Sequence, residues 1–276
     1  MKQSVPFLKK LRSIQRKNNS LLCIGLDTDP LKVPEFLYEY GDPQYEFNRR
    51  IIDATKDIVC AYKLNVAFYE SVGEHGWYTV HHTLARIPEE IVTIGDGKRG
   101  DIASSAERQA HLLCGDWEFA ASTVSPYMGR DSVEPFAKRR DQCAFVLAVT
   151  SNPGAKDFQY LKVNGKPLYE KVVAQAKKWN TKKNIGLVVG ATRPAELKRV
   201  RSLAPDMPIL IPGIGAQKGD LEATVRYGCD KKGELALINI GRAIIYASNG
   251  EDFAEKARAA ALSYRDKMNE VREKYF

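Results

Sequence analysis

Eight short apolar runs, each separated from the next by enough chain for a helix, constrain this sequence more than any other feature. They lie at 21–27, 58–65, 91–98, 119–125, 144–151, 185–190, 208–213 and 235–241. Most are continuously apolar rather than alternating, which suits strands buried on both faces of a parallel sheet. Helical patterns fill the gaps. Residues 48–58 carry Ile51, Ile52 and Ala54 on one stripe, and Trp77, Val80, Leu84 and Ile87 keep helical spacing. Leu168, Val172, Val173 and Ala176 form another apolar face. Ser104 with Glu107 and Asp131 with Glu134 have the spacing of capping boxes. Pro194 stands where a helix begins and Gly228 where one ends, and the last long helix is expected over 252–273. Phe7, Leu8, Leu11 and Ile14 predict an extra N-terminal helix packed under the sheet.

Strands alternating with helices give a parallel sheet, and eight units suffice to close it into a (β/α)8 TIM barrel. The expectation is one barrel domain over residues 1–276, a length within the usual range for this architecture. An open doubly wound sheet ranks lower, because the turn after the first strand, Gly25-Leu26-Asp27-Thr28-Asp29-Pro30, lacks the GxGxxG pattern. After the fifth strand, Asn164-Gly165 separates two short runs and signals a small β-hairpin on the same face as the strand ends.

Composition narrows the class of function. The net charge of +8 reads as a basic surface that steers an anionic ligand, since the lysine and arginine clusters are scattered and carry no interleaved aromatics. A nucleic-acid binder is therefore not expected. The five cysteines are odd in number and show no CxxC pair, which fits reduced thiols in a cytoplasmic protein. No apolar run approaches a membrane span, and no apolar segment of the secretory type follows the basic N-terminus. The four histidines fall in expected helices, and no metal site or cofactor is assigned.

Barrel enzymes carry their reactive groups at the carboxyl ends of the strands. The first strand ends in Asp27, the second in Lys63 and Asn65, and the third in Asp96-Gly97-Lys98-Arg99-Gly100-Asp101. Strand residues two apart share a face, so Asp96 and Lys98 point together into the barrel mouth, with Lys63 beside them. Asp101, on the following turn, has either this pair or a neighbouring subunit within reach. Alternating carboxylates and ammoniums hold one another charged, and a lysine kept cationic beside a reacting carbon is a proton donor. A plain salt-bridge network is the competing reading. Pro212-Gly213-Ile214-Gly215, followed by Gln217, and Gly241-Arg242 have the character of a phosphate clamp at the usual phosphate site of this fold. Ser151-Asn152-Pro153-Gly154 offers hydroxyl and amide groups to a polar ring, or is only a turn.

These residues resemble the orotidine 5′-monophosphate decarboxylase family, from Gly25-Leu26-Asp27 through to Gly241-Arg242. The likeness is to its bacterial-type branch, through Ala67-Phe68-Tyr69-Glu70, Thr150-Ser151-Asn152-Pro153-Gly154 and Gly190-Ala191-Thr192. The family pattern DxKxxD falls on Asp96, Lys98 and Asp101. The resemblance implies decarboxylation of orotidine 5′-monophosphate to UMP, the last step of pyrimidine nucleotide synthesis, without cofactor. Lys98 would protonate C6, Asp96 would sit beside the departing carboxylate, and Lys63 and Asp27 would reach the ribose. It also implies a homodimer with shared sites, in which Asp101, Ile102 and Ser105 complete the neighbour's pocket. Ser151 would touch the pyrimidine, and Gln217, Gly241 and Arg242 would hold the phosphate. Three positions depart from the branch pattern: Leu64 stands where proline is frequent, Ser125 where asparagine is expected, and Ser105 where threonine is usual. None removes a charge. A magnesium-dependent sugar-phosphate decarboxylase sharing DxKxxD is the alternative, and a non-catalytic phosphate- or RNA-binding protein is the rival from another class.

Overall fold

A computed structural model describes residues 5–215 and 219–276. The strands are β1 (Leu22–Gly25), β2 (Ala61–Asn65), β3 (Val92–Arg99), β4 (Ala121–Val124), β5 (Cys143–Val149), β6 (Lys162–Val163), β7 (Lys166–Pro167), β8 (Ile185–Val189), β9 (Ile209–Pro212) and β10 (Ala236–Ile240). Among the described residues, eight parallel strands close into a barrel in the order β1-β10-β9-β8-β5-β4-β3-β2. All eight expected runs coincide with a barrel strand to within one residue of its extent, and the continuous apolar pattern has the expected cause. β1, β4, β8 and β10 are buried at every position, the interior facing the barrel axis and the exterior facing helices.

β6 and β7 form the separate antiparallel hairpin. Its turn residues, Asn164 at φ +52° and Gly165 at φ +77°, have the left-handed pair of angles that an Asn-Gly hairpin turn requires. The strands are shorter than the sequence suggests, because 155–158 winds into a helical turn first.

The N-terminal helix, Phe7–Lys17, buries Phe7, Leu11 and Ile14, each burial favouring the fold by roughly 1.5–3 kcal/mol. It seals the end of the barrel opposite the strand tips. Phe7 meets Phe145 edge-on at 6.0 Å. Gln15 donates to the carbonyl of Ala236 at 2.7 Å and accepts from Leu235 N–H at 3.1 Å, at the entry to β10. Arg12 and Arg16 bind the buried carboxylates of Asp230 and Glu234 in the preceding turn.

Several local expectations are corrected. The second helix runs Pro43–Thr55 rather than 48–58, because the Asp42 side chain caps it by accepting from Tyr45 N–H at 2.8 Å. The helix Glu74–Arg86 buries Gly76, Thr79, Val80 and Thr83, while Trp77 stays exposed against Trp117. Its buried face mixes Val80 of the expected stripe with Thr79, bonded to Asp42, and Thr83, bonded to Asn48, while Leu84 packs partly buried against the core. Neither capping box forms. Ser104 and Asp131 sit inside the first turns of helices that begin at Ala103 and Arg130, and Glu134 pairs with Arg130 instead. Pro194 does begin a helix, Pro194–Leu203, and Gly228 does end one, Leu221–Gly228. The last helix is Phe253–Tyr275.

Candidate active site

The carboxyl ends of the strands surround a cavity of about 360 Å³. Its charged wall begins with Asp27, just past β1. That loop is fixed by a buried hydrogen-bond chain: Thr28 donates to Asn48, Asn48 to Tyr69 and Thr83, and the Tyr69 hydroxyl to the carbonyl of Leu26. Lys63, on β2 and 3% exposed, places its ammonium 2.9 Å from Asp27 Oδ1 and 3.0 Å from Asp96 Oδ2. Lys98 Nζ reaches the other oxygen of Asp96, Oδ1, at 2.8 Å. Carboxylate and ammonium thus alternate along Asp27, Lys63, Asp96 and Lys98, as the strand ends led one to expect.

Electrostatics keep the inner members charged. Burial would push the Asp96 carboxyl up, but Lys63, Lys98 and the hydrogen bonds from Lys98 and Thr123 outweigh it and hold it well below the usual carboxylate range. Burial would likewise drive the Lys63 ammonium down, and the facing charges of Asp27 and Asp96 raise it instead. The balance of these opposed effects is a pair that stays ionised near neutral pH at the floor of the cavity.

A second wall, beginning on β10 beside β1, is built from glycine-bearing strand ends. Gly213, Ile214, Gly241, Arg242 and Ala243 line it, beyond Pro212 of β9. Gly213 lies at φ +114°, open to glycine alone, which lets the chain turn into the cavity. Arg242 opens a single helical turn, Arg242–Ile245, directly after β10. Between the two walls lie Ser151 and Asn152. Gly190 brings that loop close: a Cβ there would stand 3.1 Å from Ser151 N and 3.2 Å from its Cβ.

Of the residues singled out from sequence, Asp27, Lys63, Asp96, Lys98, Ser151, Gly241 and Arg242 line one cavity. Asn65 does not. Its side-chain oxygen turns back to accept from Ala67 N–H at 3.3 Å, a local bond that draws it away from the cavity. Asp101, Ile102 and Ser105 also stand outside this chain's cavity, in a stretch exposed from Asp101 to Ser105. Gln217 lies outside the described residues. Sequence reasoning missed Thr123 and Asn239, which line the cavity from β4 and β10. It also missed Gln159, which braces the Ser151 loop by accepting from Thr150 N–H at 2.8 Å and donating to its hydroxyl at 2.7 Å. A polar residue inside an apolar strand is the signal for the first two. Among the described residues all five cysteines are buried free thiols, and no three His, Cys, Asp or Glu gather as a metal-binding group.

The model of the orotidine 5′-phosphate decarboxylase / HUMPS family matches positions 20–257. The chain belongs to this family. Orotidine 5′-phosphate decarboxylase of Dehalococcoides mccartyi is 46% identical over 98% of this chain and 99% of its own. The enzyme of that name from Ralstonia nicotianae is 46% identical over 96% and 99%. The structure of Leishmania donovani OMP decarboxylase superposes with a TM-score of 0.86 at 37% identity, covering 97% of this chain and 99% of that one. The Methanocaldococcus jannaschii orotidine 5′-monophosphate decarboxylase, solved with the inhibitor BMP, matches at a TM-score of 0.66 and 25% identity over 87% and 97%. Family members of this kind thus share the (β/α)8 barrel found here.

Proposed function

We propose that this chain is a carboxy-lyase that converts orotidine 5′-phosphate to UMP and CO2, the last step of de novo pyrimidine nucleotide synthesis. The observation that carries the reading is the alternating Asp27–Lys63–Asp96–Lys98 array along one wall of a cavity whose other wall holds Gly213, Gly241 and Arg242. A nucleoside monophosphate has a matching asymmetry: an anionic phosphate at one end and the reacting ring carbon at the other.

In the reaction, the bond from C6 to the carboxylate breaks, CO2 leaves, and its electron pair stays on C6. The Lys98 ammonium gives its proton to that carbon and so supplies the new C6–H bond. Asp96, held ionised by the ammoniums of Lys63 and Lys98 despite its burial, lies where the substrate carboxylate is repelled and CO2 is not. Preorganised cations beside the developing carbanion are the larger effect. Without an electron sink the barrier is high, so the site must supply on the order of 20 kcal/mol. Phosphate binding at Arg242, remote from C6, contributes by holding the ring against the charged wall.

Asp101, Ile102 and Ser105 are read as completing the cavity of a second copy in a homodimer. What supports this is their continuous exposure, including an isoleucine half open to solvent, directly after the catalytic strand. The chain is read as one catalytic domain, supported by a single apolar core running from Phe7 to Met268. A cytoplasmic enzyme is consistent with five reduced thiols, and no helix among the described residues is long and apolar enough to cross a membrane.

The test is the ultraviolet assay of orotidine 5′-phosphate consumption, with and without EDTA. Rapid loss that ignores the chelator is expected. No turnover by folded protein refutes the reading, and loss of turnover in EDTA refutes its metal-free chemistry.

A further inference from the structure

β3 and β4 pair regularly at Ile94↔Ala121 and Gly95↔Ser122, and pairing resumes at Arg99↔Val124. Between these points Asp96, Gly97 and Lys98 of β3 face Thr123 alone on β4. Such a bulge leaves backbone groups without ladder partners and re-aims side chains. Here it puts Lys98 at φ +44°, a left-handed conformation uncommon for a residue with a side chain.

One hydroxyl answers both effects. Thr123 Oγ1 accepts from the Lys98 backbone N–H at 3.0 Å and donates to Asp96 Oδ1 at 2.7 Å. A hydroxyl has one proton and two lone pairs, so both bonds form together. The oxygen it grips on Asp96 is the one that Lys98 Nζ also binds. Thr123 is buried, and its neighbours on β4 and β5 leave it little freedom to turn.

We propose that Thr123 is a positioning residue that fixes the backbone of Lys98, from which the proton-donating ammonium extends, relative to the carboxylate of Asp96. It acts through the bulge: the backbone of one partner and the side chain of the other are tied to a single oxygen on the next strand. This rests on the decarboxylase reading above. Thr123 stands on the charged wall, away from Arg242, so its loss acts on the chemical step rather than on phosphate binding.

Thr123→Val keeps the shape and removes both bonds, whereas Thr123→Ser keeps both. In the orotidine 5′-phosphate assay, the valine variant is expected to lose roughly tenfold to a hundredfold in kcat, the range for a lost hydrogen bond to a charged group. Its KM and its affinity for UMP should move by less than about threefold. The serine variant should stay within about threefold of wild type in kcat. Equal losses in the two variants, a kcat loss below about threefold in the valine variant, or a change confined to KM each overturn the proposal. Should the valine variant not fold, Thr123→Cys lengthens both contacts at nearly the same volume and carries the same expected kcat loss. Wild-type protein is assayed alongside: its failure to turn over refutes the decarboxylase reading itself, whereas active wild type with an unimpaired valine variant refutes only the role of Thr123.

Discussion

Lys63 and Lys98 bind the same carboxylate at nearly the same distance, 3.0 and 2.8 Å, yet removing them should have opposite signatures. The difference is burial: the Lys63 side chain is 3% exposed and that of Lys98 is 50% exposed. In Lys63→Met, Asp27 and Asp96 face each other with no cation between them. Breaking a buried pair typically costs about 3–5 kcal/mol, and because Asp27 keeps partial contact with water the lower end applies, about 3 kcal/mol. For a chain of this size that corresponds to a fall in Tm of roughly 6–12 °C. In Lys98→Met the pair lost is half in water, and its contribution to stability is about 1 kcal/mol or less. Its Tm should therefore move by no more than about 2–4 °C. Activity should reverse the order of interest: Lys98→Met removes the proton donor and should lower kcat by more than about a hundredfold while UMP still binds. Differential scanning calorimetry with the ultraviolet assay on both variants decides the matter. Equal Tm losses would refute the assignment of Lys63 as the structural cation, and residual Lys98→Met turnover within a hundredfold of wild type would refute Lys98 as the acid.

Arg242→Ala should lower kcat/KM by more than tenfold, about 1.4 kcal/mol or more of transition-state stabilisation, and a smaller loss removes the phosphate assignment. Gly190→Ala drives a methyl group to 3.1 Å from the Ser151 backbone, so kcat/KM should drop while Tm changes by only a few degrees, read in the same two assays. The Asp96 carboxyl is depressed in the fold, so its contribution to stability is complete above the unfolded carboxylate range, about pH 4, and is lost as pH falls through the folded value. Urea midpoints should accordingly be flat in this respect near neutrality and decline below about pH 4, and the Asp96→Asn variant should show a shallower acid decline. Mixing Asp101→Ala with Lys98→Ala protein should regain about a quarter of wild-type activity if sites are shared in a twofold dimer, since half of the pairs are mixed and each has one intact site. No recovery on mixing, with subunit exchange demonstrated, would place Asp101 outside the neighbour's site.

The barrel was legible because β-branched runs buried on both faces have no alternation to mislead, and because eight of them leave one closed solution. The charged wall was legible for a related reason: ionisable residues at the tips of apolar strands have few structural uses. What stayed hidden were features set by pairing between strands. Alternation alone would point Asp96 and Lys98 the same way, and they do converge, but through a bulge with Lys98 in a left-handed conformation that no residue type announced. Its place at the tip of the second strand suggested Asn65 for the cavity, but a turn with Ala67 took its oxygen instead. In the helix Glu74–Arg86 apolar spacing found buried Val80 and core-packed Leu84, but not the threonines beside them, which are buried through bonds to Asp42 and Asn48, and it placed exposed Trp77 on the same face.

The exposures along the charged wall also bear on how one network can be both stable and reactive. The inner groups, Lys63 and Asp96, have side chains 3% and 11% exposed, and the outer ones, Asp27 and Lys98, 25% and 50%. The inner pair is already desolvated and cannot gain much from a ligand. Lys98 is different, because on the proposed reading a pyrimidine seated over it would remove its water. Its attraction to Asp96 and to a developing carbanion then acts at a lower effective dielectric and grows severalfold. Substrate binding therefore strengthens the reactive end of the network without having to build the rest. For this to work, Asp96 must not follow Lys98 when the ligand arrives. Its second oxygen is fixed by buried Lys63 and its first by Thr123, so the carboxylate stays in place while the ammonium is free to move toward C6.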